Sequence, residues 1–419
     1  MMAARWLIAA AVVVGVVTAN AQAAPQGTAL FGLQSYDDLM IALMRKWDVP
    51  GGALAVARHG KLVLVRGYGL ASKERGAPVE TTSLFRLASL SKTVTAVAVL
   101  RLVQEGRLQL DDKVLPILGD LGPRPGRITD ARVHDITVRH LLQHSGGFNR
   151  ARSGDVMFLP GAAEAAKRQR GPLPPDCPTI LRDTLERRLD FAPGERFAYS
   201  NVGYCILGRI VERVTGATYE AHVRARVLVP AGASGMRIGR TLEPAEHEVT
   251  YYDFESKKRR AMPGLGLKVA PRPYGEFAVE TMDSFGGWIG SPVDYLRFIL
   301  AIDGRRSPPL LDWATLAQMN TASRVPQEVA AADEASAKRS EYGLGIYIHR
   351  RRDGGVNLWH TGSLPGTSAI AVRTDDGFAW VAVFNGRPEG RNKWRSEIDR
   401  GLWAAKSQVR NWPDGDLFR

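Results

Sequence analysis

Hydrophobic and polar residues alternate near both ends of the chain, which is the pattern of half-buried β-strands. Near the N-terminus the alternation covers residues 52–68 and is interrupted by His59-Gly60, which predicts a β-hairpin. Towards the C-terminus, apolar stretches predict four further strands, over residues 342–349, 356–360, 367–373 and 378–384. We therefore expect the two ends of the chain to contribute strands to one antiparallel sheet.

Helical spacing of apolar residues appears on both sides of these strands. It covers residues 36–47 and 393–405, and it returns directly after Ser89. Thr137 and Ser291 each precede a short apolar pattern and are predicted to be N-caps. The apolar stripe after Ser89 consists of Val94, Val97, Ala98 and Leu102.

The region from about residue 89 to residue 322 is predicted to be a helical subdomain inserted between the N-terminal and C-terminal strands. Residues 150–175 and 324–339 show no clear periodicity and are predicted to be exposed loops. Domains usually contain about 100 to 200 residues, so the mature chain is long enough for a core with such an insertion. We interpret residues 24–419 as one domain of this kind.

Residues 1–23 have the pattern of a signal peptide. Arg5 precedes an apolar run over residues 6–17, and the small residues at 19–21 or 21–23 suit a cleavage site. The apolar run is shorter than the roughly 20 residues of a membrane span, although an uncleaved anchor is the alternative. We expect a periplasmic or secreted protein with no stable membrane span after cleavage.

The chain is basic, with 56 Lys and Arg residues against 43 Asp and Glu residues and a formal net charge of +13. A basic surface attracts anionic partners such as cell-wall polymers or membrane headgroups, but dispersed arginines on a solvated face explain the charge more simply. No nucleic-acid motif accompanies the charge, so no nucleic-acid partner is expected. The histidines show no metal-ligand spacing and no phosphate-binding loop occurs, so we expect no metal and no cofactor.

Cys177 and Cys205 are the only cysteines. In an oxidising compartment they could form a disulfide. Cys205 also falls on an apolar helical stripe, where a buried free thiol is equally suitable. The sequence leaves both possibilities open.

Three short motifs occur in the order Ser89-Leu90-Ser91-Lys92, Tyr199-Ser200-Asn201 and His360-Thr361-Gly362. The pattern S-x-x-K is a signature of β-lactamases and penicillin-binding proteins, and it occurs once in this chain. Tyr199 is the only tyrosine followed by an asparagine two residues later. Each motif alone carries little information, but the three in this order predict a serine acyl-transfer site.

The residue types in these motifs suit nucleophilic catalysis. Ser89 and Lys92 are three residues apart at a predicted helix start, which places both side chains on one face. A lysine whose pKa is lowered by burial and by its neighbours can stabilise a nearby phenolate, so Tyr199, with Lys92 beside it, is predicted to take the proton from Ser89 and later pass it to the leaving group. Asn201 both donates and accepts hydrogen bonds, and the Ser89 amide at the helix start would stabilise an oxyanion. Ser91, the rival nucleophile, is predicted to point elsewhere on the helix.

These motifs, together with residues 85–92, 141–147 and 286–294, resemble the β-lactamase-related serine hydrolase family. That family contains class C β-lactamases, D-alanyl-D-alanine carboxypeptidases of the HTG type, D-amino-acid peptidases and family VIII carboxylesterases. The resemblance extends from about residue 33 to residue 403. It implies an α/β transpeptidase-like fold, in which an edge strand with the HTG motif lines the acyl cleft. It also implies that the Ser363 amide is the second oxyanion donor and that Asn201, His360, Thr361, Gly362 and Ser363 bind substrate.

The sequence departs from that family at two positions. Residues 144–147 read His-Ser-Gly-Gly where His-Thr-Ser-Gly is usual, and His360 stands where class C enzymes have lysine. A histidine with an ordinary pKa near 6.5 is mostly neutral at neutral pH. We therefore expect weak selection of substrate carboxylates, with a gain as the pH falls towards about 6.

The sequence predicts an exported, cofactor-free serine hydrolase that forms an acyl-enzyme on Ser89. The resemblance of the HTG motif favours a small or peptide acyl substrate of the D-amino or cell-wall type, with weak β-lactam binding or hydrolysis. A carboxylesterase for short acyl esters is the alternative. A non-catalytic penicillin-binding protein is a third possibility, but it would not need Ser89, Lys92 and Tyr199 together. The sequence gives no indication of the oligomeric state.

Overall fold

Strands from both ends of the chain form one sheet in the computed structural model, which describes residues 24–255, 258–306, 308–326 and 340–418. The predicted signal peptide and most of the loop predicted at 324–339 lie outside the described residues. In chain order the described strands are β1 (Gln26–Ala29), β2 (Gly51–Arg58), β3 (Lys61–Ser72), β4 (Ala77–Pro78), β5 (Phe85–Arg86), β6 (Arg237–Ile238), β7 (Tyr252–Asp253), β8 (Arg259–Arg260), β9 (Val269–Ala270), β10 (Trp288–Gly290), β11 (Ser340–Tyr342), β12 (Tyr347–Arg350), β13 (Val356–Leu364), β14 (Thr367–Thr374), β15 (Phe378–Phe384) and β16 (Gly386–Arg387).

The main sheet has the strand order β1-β3-β2-β15-β14-β13-β12-β11, with β4 paired to β3, and all its pairs are antiparallel. The prediction of one antiparallel sheet from both chain ends is therefore confirmed. The short strands β5, β10 and β6 form a second sheet, and the pairs β7 with β16 and β8 with β9 are separate.

Two strand predictions need correction. Residues 342–349 are not one strand, because β11 and β12 pair as a hairpin with Gly345 at a φ of +83° in the turn between them. A glycine adopts this backbone conformation without steric cost, so the chain reverses there. The strand predicted over residues 356–360 continues to Leu364. His360 therefore lies in the middle of β13, and the HTG motif does not end the strand.

The described α-helices include both predicted terminal helices and the helix that follows Ser89. The predicted caps are confirmed as well, since the Thr137 side chain accepts from His140 and the Ser291 side chain accepts from Asp294. In chain order the helices are α1 (Gln34–Lys46), α2 (Ser91–Gln104), α3 (Val114–Leu118), α4 (Val138–Leu142), α5 (Arg150–Ser153), α6 (Gly161–Gln169), α7 (Cys177–Leu185), α8 (Asn201–Thr215), α9 (Tyr219–Val223), α10 (Arg272–Gly275), α11 (Pro292–Ala301), α12 (Trp313–Met319) and α13 (Arg391–Gln408).

The prediction of an exposed loop over residues 150–175 is wrong. The segment contains α5 and α6, and α6 buries Ala162, Ala165 and Ala166. Because these buried side chains are methyl groups among charged residues, the apolar stripe of α6 is weak in the sequence. Between the two helices, Asp155 and Phe158 line the site described below.

Each face of the main sheet is covered by a hydrophobic core. On one face, α1 and α13 bury residues such as Met40, Trp394 and Leu402 against the sheet. On the other face, α2, α11 and the central helical region share a larger continuous core. This arrangement agrees with the predicted fold class. Among the described residues, no helix combines the length and the hydropathy that crossing a bilayer requires.

Cys177 and Cys205 form a disulfide, with their Cα atoms 5.9 Å apart. The sequence leaves open a disulfide or buried free thiols, and the structure contains the disulfide. It joins the first residue of α7 to the middle of α8, the helix that begins at Asn201. The bridge thus anchors the region that carries the Tyr199 motif.

Candidate active site

Ser89 lies in a short 3-10 turn, Ala88–Leu90, which leads directly into α2. Ala88 has a φ of +49°, an uncommon conformation for a residue with a side chain. Such a conformation costs on the order of 1 to 3 kcal/mol and persists only where the surrounding structure imposes it. Backbone strain directly before Ser89 marks this turn as a functional candidate.

Strand β13 packs against this turn. β12 pairs with β13 only as far as Trp359, and the following part of β13 packs against the Ala88–Leu90 turn. At Gly362 the approach is so close that a Cβ would lie 2.1 Å from the Leu87 carbonyl oxygen. Only glycine allows this contact. The third motif therefore packs directly beside the first.

Lys92 is fully buried and its amino group points towards Ser89. Its Nζ lies 3.2 Å from Ser89 Oγ, 2.7 Å from Asn201 Oδ1 and 2.8 Å from the Phe285 carbonyl oxygen. Burial holds the pKa of Lys92 well below its usual value; the Asp155 charge opposes this shift, and the Arg150 charge adds to it. Lys92 is thus suited to exist as a neutral amine that can accept a proton from Ser89.

Tyr199 packs over Lys92 and lies close to Ser89. Its ring lies 4.9 Å from Lys92 Nζ and 4.7 Å from the Arg150 guanidinium. Burial raises the pKa of Tyr199, while Ser89 opposes the increase. At neutral pH Tyr199 is therefore a phenol and not the phenolate that the predicted base role requires, although it can donate its proton and be reprotonated.

Ser200, and not Asn201, caps helix α8, so the Asn201 side chain can contact the other residues of the site. The Ser200 side chain accepts from the Gly203 amide at 3.2 Å and is the N-cap of α8. The Asn201 side chain is turned the other way, with Oδ1 towards Lys92 and Nδ2 donating to Asp155 at 2.6 Å. Asp155 was not among the residues predicted from the sequence.

His144 packs against Tyr199. It belongs to residues 144–147, the segment that resembles the family's His-Thr-Ser-Gly run. Its Nδ1 accepts from the Ser200 amide at 3.1 Å, and its ring lies 4.3 Å from the ring of Tyr199. Burial holds the pKa of His144 well below its usual value. A neutral His144 therefore packs against Tyr199 and fixes the backbone just after it.

His360 does not behave as the sequence predicts. The side chain is 3% exposed, and Nδ1 donates to the Thr361 carbonyl oxygen at 2.8 Å. Nε2 is therefore the acceptor for the Tyr342 hydroxyl at 3.3 Å. Burial lowers the pKa of His360 to about 3. The expected gain of charge towards pH 6 is wrong, because the ring is enclosed among aromatic side chains.

Thr361 and Ser363 lie two positions apart in β13 and therefore share one face of the strand, opposite to the face of His360 and Gly362. Thr361 is half-buried and lies opposite Ile370 of β14. Ser363 lines the same cleft as Ser89 and Asn201. The structure therefore brings Ser89, Lys92, Tyr199, Asn201, Gly362 and Ser363 together and leaves the His360 ring behind the cleft.

Ser91, the rival nucleophile, is fully buried. Its Oγ accepts from the Trp288 amide at 3.3 Å, so the side chain belongs to the contact between α2 and β10. Ser89, in contrast, lines the cleft. The prediction that Ser91 points elsewhere agrees with this geometry.

The cleft at Ser89 has a volume of about 230 Å³ and a strongly charged lining. Arg272 and Arg387 are paired with Asp253, at 3.1 Å and 3.4 Å. Arg150 and Arg391 make no ion pair with the described residues. The charged side chains at the cleft are Arg150, Asp155, Arg272, Glu276, Arg387 and Arg391. Over the described ranges, no cluster of three or more His, Cys, Asp or Glu side chains is placed to hold a metal ion.

Residues 36–400 match the family model described as Beta-lactamase. The chain is 33% identical over 280 residues to the esterase EstB of Burkholderia gladioli, an alignment that covers 64% of this chain and 69% of EstB. It is 26% identical over 268 residues to protein flp of Staphylococcus aureus strain N315, covering 64% of this chain and 51% of flp.

Solved structures show the same fold. An octameric penicillin-binding protein homologue from Pyrococcus abyssi superposes with a TM-score of 0.66 at 24% identity, over 90% of this chain and 78% of that protein. A D-amino acid amidase from Ochrobactrum anthropi SV3 superposes with a TM-score of 0.67 at 22% identity, over 89% and 98% of the two chains. These similarities support the predicted transpeptidase-like architecture.

Proposed function

The chain belongs to the β-lactamase family of serine hydrolases, and from this premise we propose that Ser89 forms an acyl-enzyme with carboxylic esters. The observation that carries the proposal is the buried Lys92, whose Nζ lies 3.2 Å from Ser89 Oγ. A serine hydroxyl is a weak nucleophile until a neighbouring base accepts its proton. A lysine whose pKa is lowered by burial supplies that base.

In the proposed reaction, neutral Lys92 accepts the Ser89 proton as Oγ attacks the ester carbonyl. The amides of Ser89 and Ser363 stabilise the oxyanion. Tyr199, which lies close to Ser89 and Lys92, donates its proton to the leaving alkoxide and recovers it from Lys92. Water then takes the place of the alcohol, and the same groups remove its proton during hydrolysis of the acyl-enzyme.

Two observations favour esters as the substrate class. EstB, named as an esterase, is a relative at 33% identity. In addition, His360 is buried and neutral, so β13 offers no cationic side chain for the terminal carboxylate of a peptide. An ester also needs less assistance than an amide, because an alkoxide is the better leaving group.

A second candidate is hydrolysis of D-amino or cell-wall peptides, the first choice from the sequence, together with weak β-lactam binding or hydrolysis. Arg150 and Arg391 favour this candidate because both line the cleft and neither is paired with a carboxylate in the described residues. Either side chain could bind a substrate carboxylate. Export to the periplasm or the medium, through cleavage of residues 1–23, remains part of the proposal.

The proposal is tested with a panel of p-nitrophenyl acetate and butyrate, D-alanyl-D-alanine peptides and a chromogenic cephalosporin. Turnover of the esters, with an acyl adduct detected by intact-mass measurement, is the expected result. Efficient release of D-alanine with slow ester cleavage would select the second candidate. Absence of both turnover and adduct would contradict the proposed reaction.

A further inference from the structure

Asp155 lies between α5 and α6 and is part of the cleft at Ser89. Its Oδ2 accepts from Asn201 Nδ2 at 2.6 Å, and its Oδ1 accepts from the Met157 amide at 3.2 Å. Asp155 belongs to none of the three motifs. A chain of short contacts nevertheless connects it to Ser89 through Asn201 and Lys92.

The hydrogen bond to Asp155 determines which way the Asn201 amide faces. An asparagine side chain has a donor end and an acceptor end, whereas an ionised carboxylate only accepts. With Nδ2 on Asp155, Oδ1 must face Lys92, where it lies 2.7 Å from Nζ. The opposite rotation would place the oxygen against the carboxylate and two nitrogen donors against each other.

We propose that Asp155 is a positioning residue for acylation, which acts through Asn201 to hold Lys92 Nζ against Ser89 Oγ. This inference rests on the proposed function, in which Ser89 is the nucleophile and Lys92 the base. Fixed orientation matters because proton transfer requires a donor and an acceptor within hydrogen-bond distance. The Met157 amide holds the Asp155 carboxylate in place in turn.

Asp155 also acts on Lys92 through its charge. Its negative charge favours the protonated amine and so raises the pKa of Lys92, against the larger effect of burial. The Arg150 charge has the opposite effect. The other groups that face Lys92 are Ser89, Tyr199, Asn201, Tyr204, the Phe285 carbonyl and the neutral rings of His144 and His360.

The two effects are separated by two substitutions. Asp155→Ala removes both the acceptor and the charge. Asp155→Asn removes the charge and keeps one carbonyl oxygen, which can accept from Asn201 in place of the carboxylate but cannot also accept from the Met157 amide. Glu164→Gln in α6 is the matched control, because Glu164 is an exposed carboxylate that forms an ion pair with Arg168.

The measurement is the second-order rate constant for labelling of Ser89 by a fluorophosphonate, followed by intact mass from pH 5 to pH 10, with the Tm of each variant. We expect Asp155→Ala to lower the rate constant at least about tenfold at pH 8, because Lys92 is no longer held. We expect Asp155→Asn to lose less than Asp155→Ala. Its acidic limb should move to lower pH, since Lys92 loses a neighbouring negative charge.

The possible failures are distinguishable. If the wild-type protein is labelled on Ser89 but both Asp155 variants keep the wild-type rate and pH profile within twofold, the inference about Asp155 is overturned and the proposed function stands. A lower Tm and a lower rate in Asp155→Ala, with an unmoved acidic limb in Asp155→Asn, would reduce Asp155 to a structural role and also overturn it. Absence of label on Ser89 in the wild-type protein would contradict the proposed function itself.

Discussion

The carbonyl oxygen of Leu87 occupies the space that a side chain on Gly362 would need. A Cβ at residue 362 would lie 2.1 Å from this oxygen and 3.2 Å from the Cβ of Ala88. Leu87 and Ala88 directly precede Ser89, and Ala88 already has an uncommon positive φ. The glycine of the third motif therefore sets the position of the turn that presents Ser89.

Gly362→Ala should consequently move the Ser89 turn and lower the acylation rate at least about tenfold, since small displacements of reacting groups are costly. Gly203→Ala in α8 is the control, because a Cβ there would make only ordinary contacts, the nearest at 3.7 Å. The control should keep its activity and gain up to about 1 kcal/mol of helix stability. Equal ester turnover by both variants would show that the close contact is unimportant.

The contacts of Lys92 and Tyr199 lead to the next prediction. Lys92→Ala removes the base next to Ser89, and Tyr199→Phe removes the phenol hydroxyl that is proposed to protonate the leaving group. Each should lower the acylation rate by about 100-fold or more, the usual contribution of general acid–base catalysis. Stopped-flow release of p-nitrophenol measures this rate. A loss of less than tenfold in both variants would place the base elsewhere.

The burial of His360 predicts that stability falls in mild acid. Its pKa is about 3 in the folded protein, and an unfolded histidine has a pKa near 6.5. Between these values the unfolded chain binds the extra proton, so this contribution to stability is complete above about pH 6.5 and is lost as the pH falls. From pH 7 to pH 5 the loss is about 2 kcal/mol for this residue.

Denaturant unfolding of the wild type and His360→Gln at pH 7 and pH 5 tests this prediction. The glutamine variant does not titrate, so the difference between its two unfolding free energies should be smaller than in the wild type. Identical pH dependence of unfolding in the two proteins would refute the assigned protonation state.

A separate expectation concerns activity. Because His360 stays neutral, its protonation should not raise the relative rate with carboxylate-bearing esters between pH 8 and pH 6.

The disulfide between Cys177 and Cys205 should contribute to stability. It closes a segment between residues 28 positions apart, and a bridge of this kind is typically worth about 3 kcal/mol. We expect no free thiol in the denatured, unreduced protein. The double variant that combines Cys177→Ala with Cys205→Ala should have a lower Tm than the wild type. Two titratable thiols in protein from an oxidising compartment would contradict the bridge.

Much of the architecture could be predicted because it rests on local patterns. The alternation over residues 52–68 predicts the β2–β3 hairpin, and the caps Thr137 and Ser291 predict their helices. Two features of the fold are missed by these local patterns, each for a physical reason. The turn at Gly345 is hidden within an apolar stretch, and α6 is stabilised by alanine side chains whose burial leaves little signal in the sequence.

The site likewise contains some residues that local patterns predict and others that they do not. Ser89 and Lys92 are predictable because they lie only three residues apart, where the 3-10 turn leads into α2, so sequence spacing limits their distance. The roles of Asp155 and His360 depend on contacts between distant segments. Asp155 meets Asn201 across 46 positions, and the His360 ring is enclosed by Tyr342 of a neighbouring part of the sheet. Neither contact leaves a periodic pattern, so only the folded structure shows them.

The central claim is that Ser89 carries the acyl group, and intact-mass measurement after brief incubation with p-nitrophenyl butyrate or a fluorophosphonate tests it most directly. Ser91→Ala is the matched variant, because Ser91 lies two residues away and faces the core. We predict an adduct and turnover in the wild type and in Ser91→Ala, and neither in Ser89→Ala. An adduct that persists in Ser89→Ala and disappears in Ser91→Ala would contradict the account.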